Sequence, residues 1–262
     1  MHKRLYTPGK GKALIAQFMS GSGTNVEKVL EQEKEMEGRC PYETVVIITD
    51  DKRSNALKIG KLFDKITAVF DIRDFQESKY LGRRLTLETD AHRKAREEYS
   101  EKLADYLLNI CDIDFGVFGG FVPLTNITEY FPCLNVHPGD VTYLKDGRPY
   151  LVGLHTVPIE RALAERIGYV RSSVIQSMPY MCSGSDMDNG PFLGLGPKLF
   201  YEDERNPEKI LKALKIVSDW KILPKVVLAT ASGEIEVEYE ANQAKNPVIM
   251  DLEFRISDVD VR

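Results

Sequence analysis

ALIAQFMSGSGTNVEKVLEQEKEM (13–36) is the stretch that decides the fold. Ala13–Met19 is an apolar run bounded by Gly11 and by Ser20-Gly21-Ser22-Gly23. That pattern predicts a buried strand running straight into a glycine-rich turn. Val26–Met36 follows as a helix that closes at Gly38. The next run, Thr44–Thr49 (TVVIIT), is β-branched, continuous and closed by Asp50-Asp51. Uninterrupted apolar runs suit a parallel sheet covered on both faces, whereas a half-exposed sheet would alternate.

The same rhythm continues outward. Asn55–Leu62 reads as a helix, Ile66–Phe70 as a strand, and Ala91–Ile110 as a long helix with Tyr99, Leu103, Tyr106, Leu107 and Ile110 at helical spacing. Phe115–Phe118 is a strand ending at Gly119-Gly120, and Thr125–Phe131 a short helix capped by Thr125 or Asn126. Cys133–Val136 is a strand ending at His137-Pro138. Alternating strand and helix predicts an α/β domain with a Rossmann-like, open, mostly parallel sheet and helices on both faces.

After Pro138 the pattern changes. Val141–Tyr150 is turn-rich; Pro158–Glu165 and Pro207–Ile222 read as helices, and Ser172–Met178 and Phe192–Leu195 as strands. The last forty residues alternate over Glu234–Tyr239 and Val248–Phe254, which predicts short antiparallel strands turning at Ser232-Gly233. With no clear linker, the expectation is one domain, 1–262, with its core over about 12–222 and a small C-terminal β extension over 223–262. Those last strands would extend the sheet or pair with a second copy in a homodimer.

Composition narrows the class. The chain has 262 residues, 43% hydrophobic and 29% charged, and a formal net charge of −5. That balance argues against binding nucleic acid or an anionic membrane through bulk charge. Cys40, Cys111, Cys133 and Cys182 form no C-x-x-C pair and read as reduced thiols. The basic N-terminus precedes too short an apolar run for a signal peptide, so the chain reads as cytoplasmic.

Three constellations could carry chemistry. Glycines in SGSGTN (20–25) let the backbone approach a ligand, and the amides of the following helix favour an anion there. The motif is neither G-x-G-x-x-G nor a Walker loop, which disfavours a nicotinamide oxidoreductase. It is also what a tight strand–helix turn with a Ser or Thr cap would look like. In Asn135-Val136-His137-Pro138, alternation puts Asn135 and His137 on one side of a strand end. An amide donor beside an imidazole suits a developing oxyanion, although a lone His in this setting is more often structural. DMDNGP (186–191) is either a loop with Asx turns before a strand or the source of one carboxylate, Asp186 or Asp188, that partners His137. His137, His155 and Asp188 lack metal-ligand spacing, so no metal is expected.

Taken in order, SGSGTN (20–25), REEY (96–99), GGFVPL (119–124), NVHP (135–138), GLHT (153–156) and MDNGP (187–191) resemble the folate-dependent formyltransferases, most closely the phosphoribosylglycinamide formyltransferase family. The resemblance covers roughly residues 12–222. It implies the formyltransferase fold and transfer of a formyl group from 10-formyltetrahydrofolate, as co-substrate, to the amine of glycinamide ribonucleotide in purine synthesis. It places the catalytic trio on Asn135, His137 and Asp188. It places the substrate phosphate on Gly23, Thr24 and Asn25, with Arg96 as a further contact. The folate falls on Phe121, Val122, Pro123, Leu124 and Thr125.

The chain departs from the pattern mainly on the folate side. Val122-Pro123 stands where the family has Met-Arg, Gly139 where it has Ser, and Ile175 where it has His. The interval from His-Pro to Gly-Leu-His-Thr is also longer. An amino-sugar nucleotide as acceptor, or a non-catalytic nucleotide-binding relative, remain the alternative readings.

Overall fold

The computed structural model describes residues 2–9, 11–180, 188 and 190–261, without the side chain of His2. The chain order is β1 (His2–Arg4), β2 (Ala13–Met19), α1 (Thr24–Met36), β3 (Tyr42–Thr49), α2 (Ala56–Phe63), β4 (Ile66–Val69), α3 (Ile72–Ser78), α4 (Asp90–Ile110) and β5 (Phe115–Phe118). Then come β6 (Cys133–His137), β7 (Leu144–Lys145), β8 (Arg148–Pro149), α5 (Val157–Ala164), β9 (Tyr169–Ser177), β10 (Phe192–Phe200) and α6 (Pro207–Leu214). The chain closes with α7 (Trp220–Ala231), β11 (Glu236–Glu238), β12 (Gln243–Ile249) and β13 (Glu253–Arg255). The fold of the described residues is α/β: a mixed, mostly parallel sheet of eleven strands flanked by helices, with no closed barrel among them.

The chain divides into two compact units. One holds 6–135 and 177–187; the other holds 1–5, 136–176 and 188–262.

In the first unit, strands run in the order β5-β2-β3-β4, all parallel, with Cys133–Asn135 of β6 parallel to β5. The continuous apolar runs of β2 and β3 have the expected cause. Ala16, Phe18, Val46 and Ile48 pack with Ile72 of α3 and with Tyr99 and Leu103 of α4. Met19 and Ile47, one step along each strand, instead pack with Val26 and Leu30 of α1 and Ala56 and Ile59 of α2. Successive strand side chains face opposite ways, so both faces need apolar residues. Thr125 caps the 3₁₀ turn Asn126–Glu129 by accepting from the Ile127 amide.

In the second unit, β9 and β10 are antiparallel, β12 and β13 run parallel to β10, and β11 joins β12 and β1 antiparallel. Two expectations are corrected here. Ser232-Gly233 is not a hairpin turn: it ends α7, with the Ser232 amide donating to the Leu228 carbonyl. The C-terminal strands are not simply an antiparallel pair, because β12 and β13 both align parallel with β10. The helix expected over Pro207–Ile222 continues past Pro224 to Ala231, interrupted by a π turn at Lys215–Asp219. Burial of Ile222, Leu223, Val226 and Val227 outweighs the proline penalty of about 3 kcal/mol.

Candidate functional site

In the second unit, β6 ends at His137, at the carboxyl end of a strand, where α/β sheets place ligands. Asp188 precedes β10, whose start is fixed opposite β9 by Phe192↔Ile175 pairing and by the Gln176 amide on the Pro191 carbonyl, 2.9 Å. This brings the Asp188 carboxylate within 3.3 Å of His137 Nδ1, both side chains nearly out of water. Asp188 has φ +61°, a conformation that Asp tolerates better than most residues. Asp186, Met187 and Asn189 of the same loop, and Cys182, lie outside the described residues.

His137 Nε2 donates to the Leu151 carbonyl at 2.8 Å, so the ring is held at both nitrogens. Burial alone disfavours charge on this imidazole. The Asp188 carboxylate, the Leu151 carbonyl and the more distant Asp219 outweigh burial, and the His137 pKa lies above its ordinary 6.5. The surroundings of the ring therefore favour its charged form relative to a free imidazole.

Asp219 and the Leu151 carbonyl were not singled out from the sequence. Asp219 is buried at the end of the π turn and accepts a hydrogen bond from the Ser172 hydroxyl. Ser218 beside it accepts from the Ser172 amide and donates to the Pro197 carbonyl. The available signal was two adjacent polar residues, Ser218 and Asp219, between Leu214, Val217 and Ile222 on the side of the helix that is buried.

The first unit holds the glycine-rich loop. Gly23 caps α1 at φ +74°, and no side chain caps the helix, so the expected alternative of a Ser or Thr cap is not what forms. A Cβ on Gly23 would lie 2.5 Å from both Ile59 Cδ1 and Met19 Cε. Asn55 fastens the loop from behind, donating to the carbonyls of Gly21 (3.1 Å) and Ser22 (3.2 Å). The carbonyls are thus engaged, and Gly23 brings no side chain to cap α1, whose N-terminal end favours an anion.

Ser20 joins this loop to the segment 121–125: its hydroxyl accepts from the Val122 amide at 2.8 Å. Phe121 packs on Phe18 and Phe118, and Val122 is exposed. Arg96 is 2% exposed and donates through Nη1 to the Leu124 carbonyl at 2.7 Å. Its Nε, and the buried Tyr180 hydroxyl, have no hydrogen-bond partner among the described residues. Burial pushes the Tyr180 phenol up to about 12, which keeps it a neutral donor. Arg96 thus lies against the segment assigned to folate, and Thr125 is tied to the same helix by donating to Ser100 Oγ at 3.0 Å. Pro123 lies between these anchors.

His155 is exposed, at φ +51°. Among the described residues no group of three or more His, Cys, Asp or Glu is placed to hold a metal ion. Nor is any described helix long and apolar enough to cross a membrane. Cys40, Cys111 and Cys133 are free thiols.

No protein-family model matches the sequence, and no curated protein matches it. Solved structures do. The glycinamide ribonucleotide transformylase 1 of Symbiobacterium toebii superposes with a TM-score of 0.70 at 18% identity, over 91% of this chain and 96% of its own. The phosphoribosylglycinamide formyltransferase of Coxiella burnetii gives 0.66 at 20% identity, covering 93% of this chain and 99% of its own. That of Bacillus halodurans gives 0.62 at 22%, covering 84% and 95%. At such identities the likeness is one of fold, and the fold implied by the motif order is the one found.

Proposed function

We propose that this chain, which has the fold of the phosphoribosylglycinamide formyltransferases, moves a formyl group from 10-formyltetrahydrofolate to the amine of glycinamide ribonucleotide, a step of purine synthesis. The observation that carries the reading is the buried His137–Asp188 pair, 3.3 Å apart, joined to Asn135 by a single strand.

The donor substrate brings the formyl carbon as an electrophile. Attack by the neutral amine places negative charge on the formyl oxygen. Asn135 donates its amide hydrogen to that oxygen, and the charge on His137 stabilises it through space. Asp188 keeps His137 charged and takes up the amine proton through water. The same water passes that proton on to the folate nitrogen, whose expulsion completes the transfer and leaves Asp188 ionised again. Gly23, Thr24 and Asn25 would hold the ribonucleotide phosphate on the amides of α1, with Arg96 adding positive charge. Phe121–Thr125 would line the folate. Arg96 Nε and the Tyr180 hydroxyl, which have no hydrogen-bond partner among the described residues, fit a ligand that carries acceptor oxygens.

The test is one assay with glycinamide ribonucleotide and 10-formyltetrahydrofolate, following tetrahydrofolate release and product mass. Formylated ribonucleotide supports the reading. Folate release without formylated acceptor would replace it with hydrolysis. Binding of the ribonucleotide without turnover would overturn it in favour of a binding protein. An amino-sugar nucleotide offered in its place tests the acceptor.

A further inference from the structure

The longer interval after His137-Pro138 folds into a small hairpin, β7–β8, that the proposed reaction does not itself require. The hairpin is fastened to α5. Lys145 Nζ pairs with Glu165 at 2.6 Å, and the Tyr150 ring has cations near it from Lys145 (4.6 Å) and Arg161 (5.4 Å). Arg161 Nη1 donates to the Tyr150 carbonyl at 2.8 Å and to the Val152 carbonyl at 2.9 Å. Between those two anchored carbonyls lies Leu151. Its side chain is buried with Ile159 and Ala162 of α5, and its carbonyl accepts from His137 Nε2.

Gly139 completes the arrangement. A Cβ there would lie 2.1 Å from the Leu151 carbonyl oxygen and 2.8 Å from His137 Nε2. Any side chain at 139 would force that oxygen and the ring apart. A carbonyl oxygen only accepts, so the nitrogen facing it must carry a proton.

We propose that Arg161 and Gly139 are positioning residues: together they hold the Leu151 carbonyl on His137 Nε2, so that Nε2 keeps its proton and Nδ1 alone exchanges one with Asp188. Only the catalytic meaning of that exchange rests on the formyl-transfer reading; the position of the proton can be measured without any activity. Among the described residues, the charged or polar groups acting on the ring include Asp188 at Nδ1, the Leu151 carbonyl at Nε2, and Asp219 at longer range.

The experiment is ¹⁵N NMR of the histidine rings of the full chain across pH. Four histidines are present, and His137 is assigned by its loss in His137→Gln. Wild-type protein is expected to show the Nε2–H form above its midpoint. Arg161→Gln and Gly139→Ala should each give mixed tautomers and a midpoint lower by about one pH unit, because a hydrogen bond favouring the charged ring is lost. Arg161→Lys, which keeps a cationic donor, should recover the Nε2–H form. In turnover, Arg161→Gln should lower kcat about 10-fold or more while KM moves less than about twofold, as expected for a misoriented reacting group.

A wild-type ring protonated on Nδ1 overturns the proposal, and this needs no variant to fold. So does an Arg161→Gln protein whose tautomer and midpoint match wild type. If the tautomer shifts as expected but wild type transfers no formyl group, the formyl-transfer reading falls and the positioning role stands.

Discussion

His137 is held between two opposing effects, and the balance makes its partner testable. Burial pushes its pKa down, and Asp188 supplies the largest opposing attraction. With Asp188→Asn that attraction disappears, so the His137 midpoint is expected to fall below that of wild type, read from its ring resonances. Turnover should fall by about 10²–10⁴-fold, the usual worth of a positioned acid–base group. The fold should survive, checked by circular dichroism, because the ring can shed its proton instead of staying charged and unpaired. Stability carries the same signature. The folded pKa of His137 is raised, so the charged ring contributes stability that is fully present below about pH 6.5 and lost as pH rises through the folded value. Wild type should therefore exceed His137→Gln in urea resistance by more at pH 5.5 than at pH 8.5. An equal gap at both would show that the pair is not charged in the folded protein.

At the scale of elements, the β2–α1 junction depends on one glycine and not on its neighbours. Gly23 sits at φ +74° against Ile59 and Met19, whereas nothing lies within 4 Å of a Cβ on Gly21. Gly23→Ala is expected to cost about 1–3 kcal/mol from backbone strain and contact, and to weaken ribonucleotide binding. Gly21→Ala should stay within about 0.5 kcal/mol of wild type; urea titration compares the two. The strand, the turn and α1 were legible because apolar runs and glycines act locally. Which residue caps the helix was not, since Ser20, Ser22 and Thr24 are all ordinary caps. The choice of Gly23 follows from packing by Ile59 and Met19, residues that reach it only in the fold. The end of α7 was misread for a similar reason. Pro224 is a local stop signal, and tertiary burial on both sides of it overrides that signal.

At the scale of the whole molecule, the C-terminal segment is part of a core. Val226, Val227, Ala229, Ala231, Ile235, Val237 and Ala244 are all buried. Each buried Val or Ile contributes about 1.5–3 kcal/mol, and the total stability of a typical protein is only about 5–15 kcal/mol. Truncation after Pro224 is therefore expected to abolish cooperative unfolding of the unit that contains β9 and β10, seen as loss of its calorimetric transition. An unchanged transition would mean that these strands are dispensable.

By itself the sequence determined the α/β class, the parallel half of the sheet and the order of the motifs, because periodicity and glycine placement are read one neighbour at a time. It also singled out Asn135, His137 and Asp188. Only the tertiary structure decided that Asp188 meets His137 Nδ1, that the Leu151 carbonyl takes Nε2, and that Asp219 adds its charge from a π turn. These partners are distant in sequence. A backbone carbonyl carries no residue signature, and the field felt by a buried ring depends on distances that only packing sets.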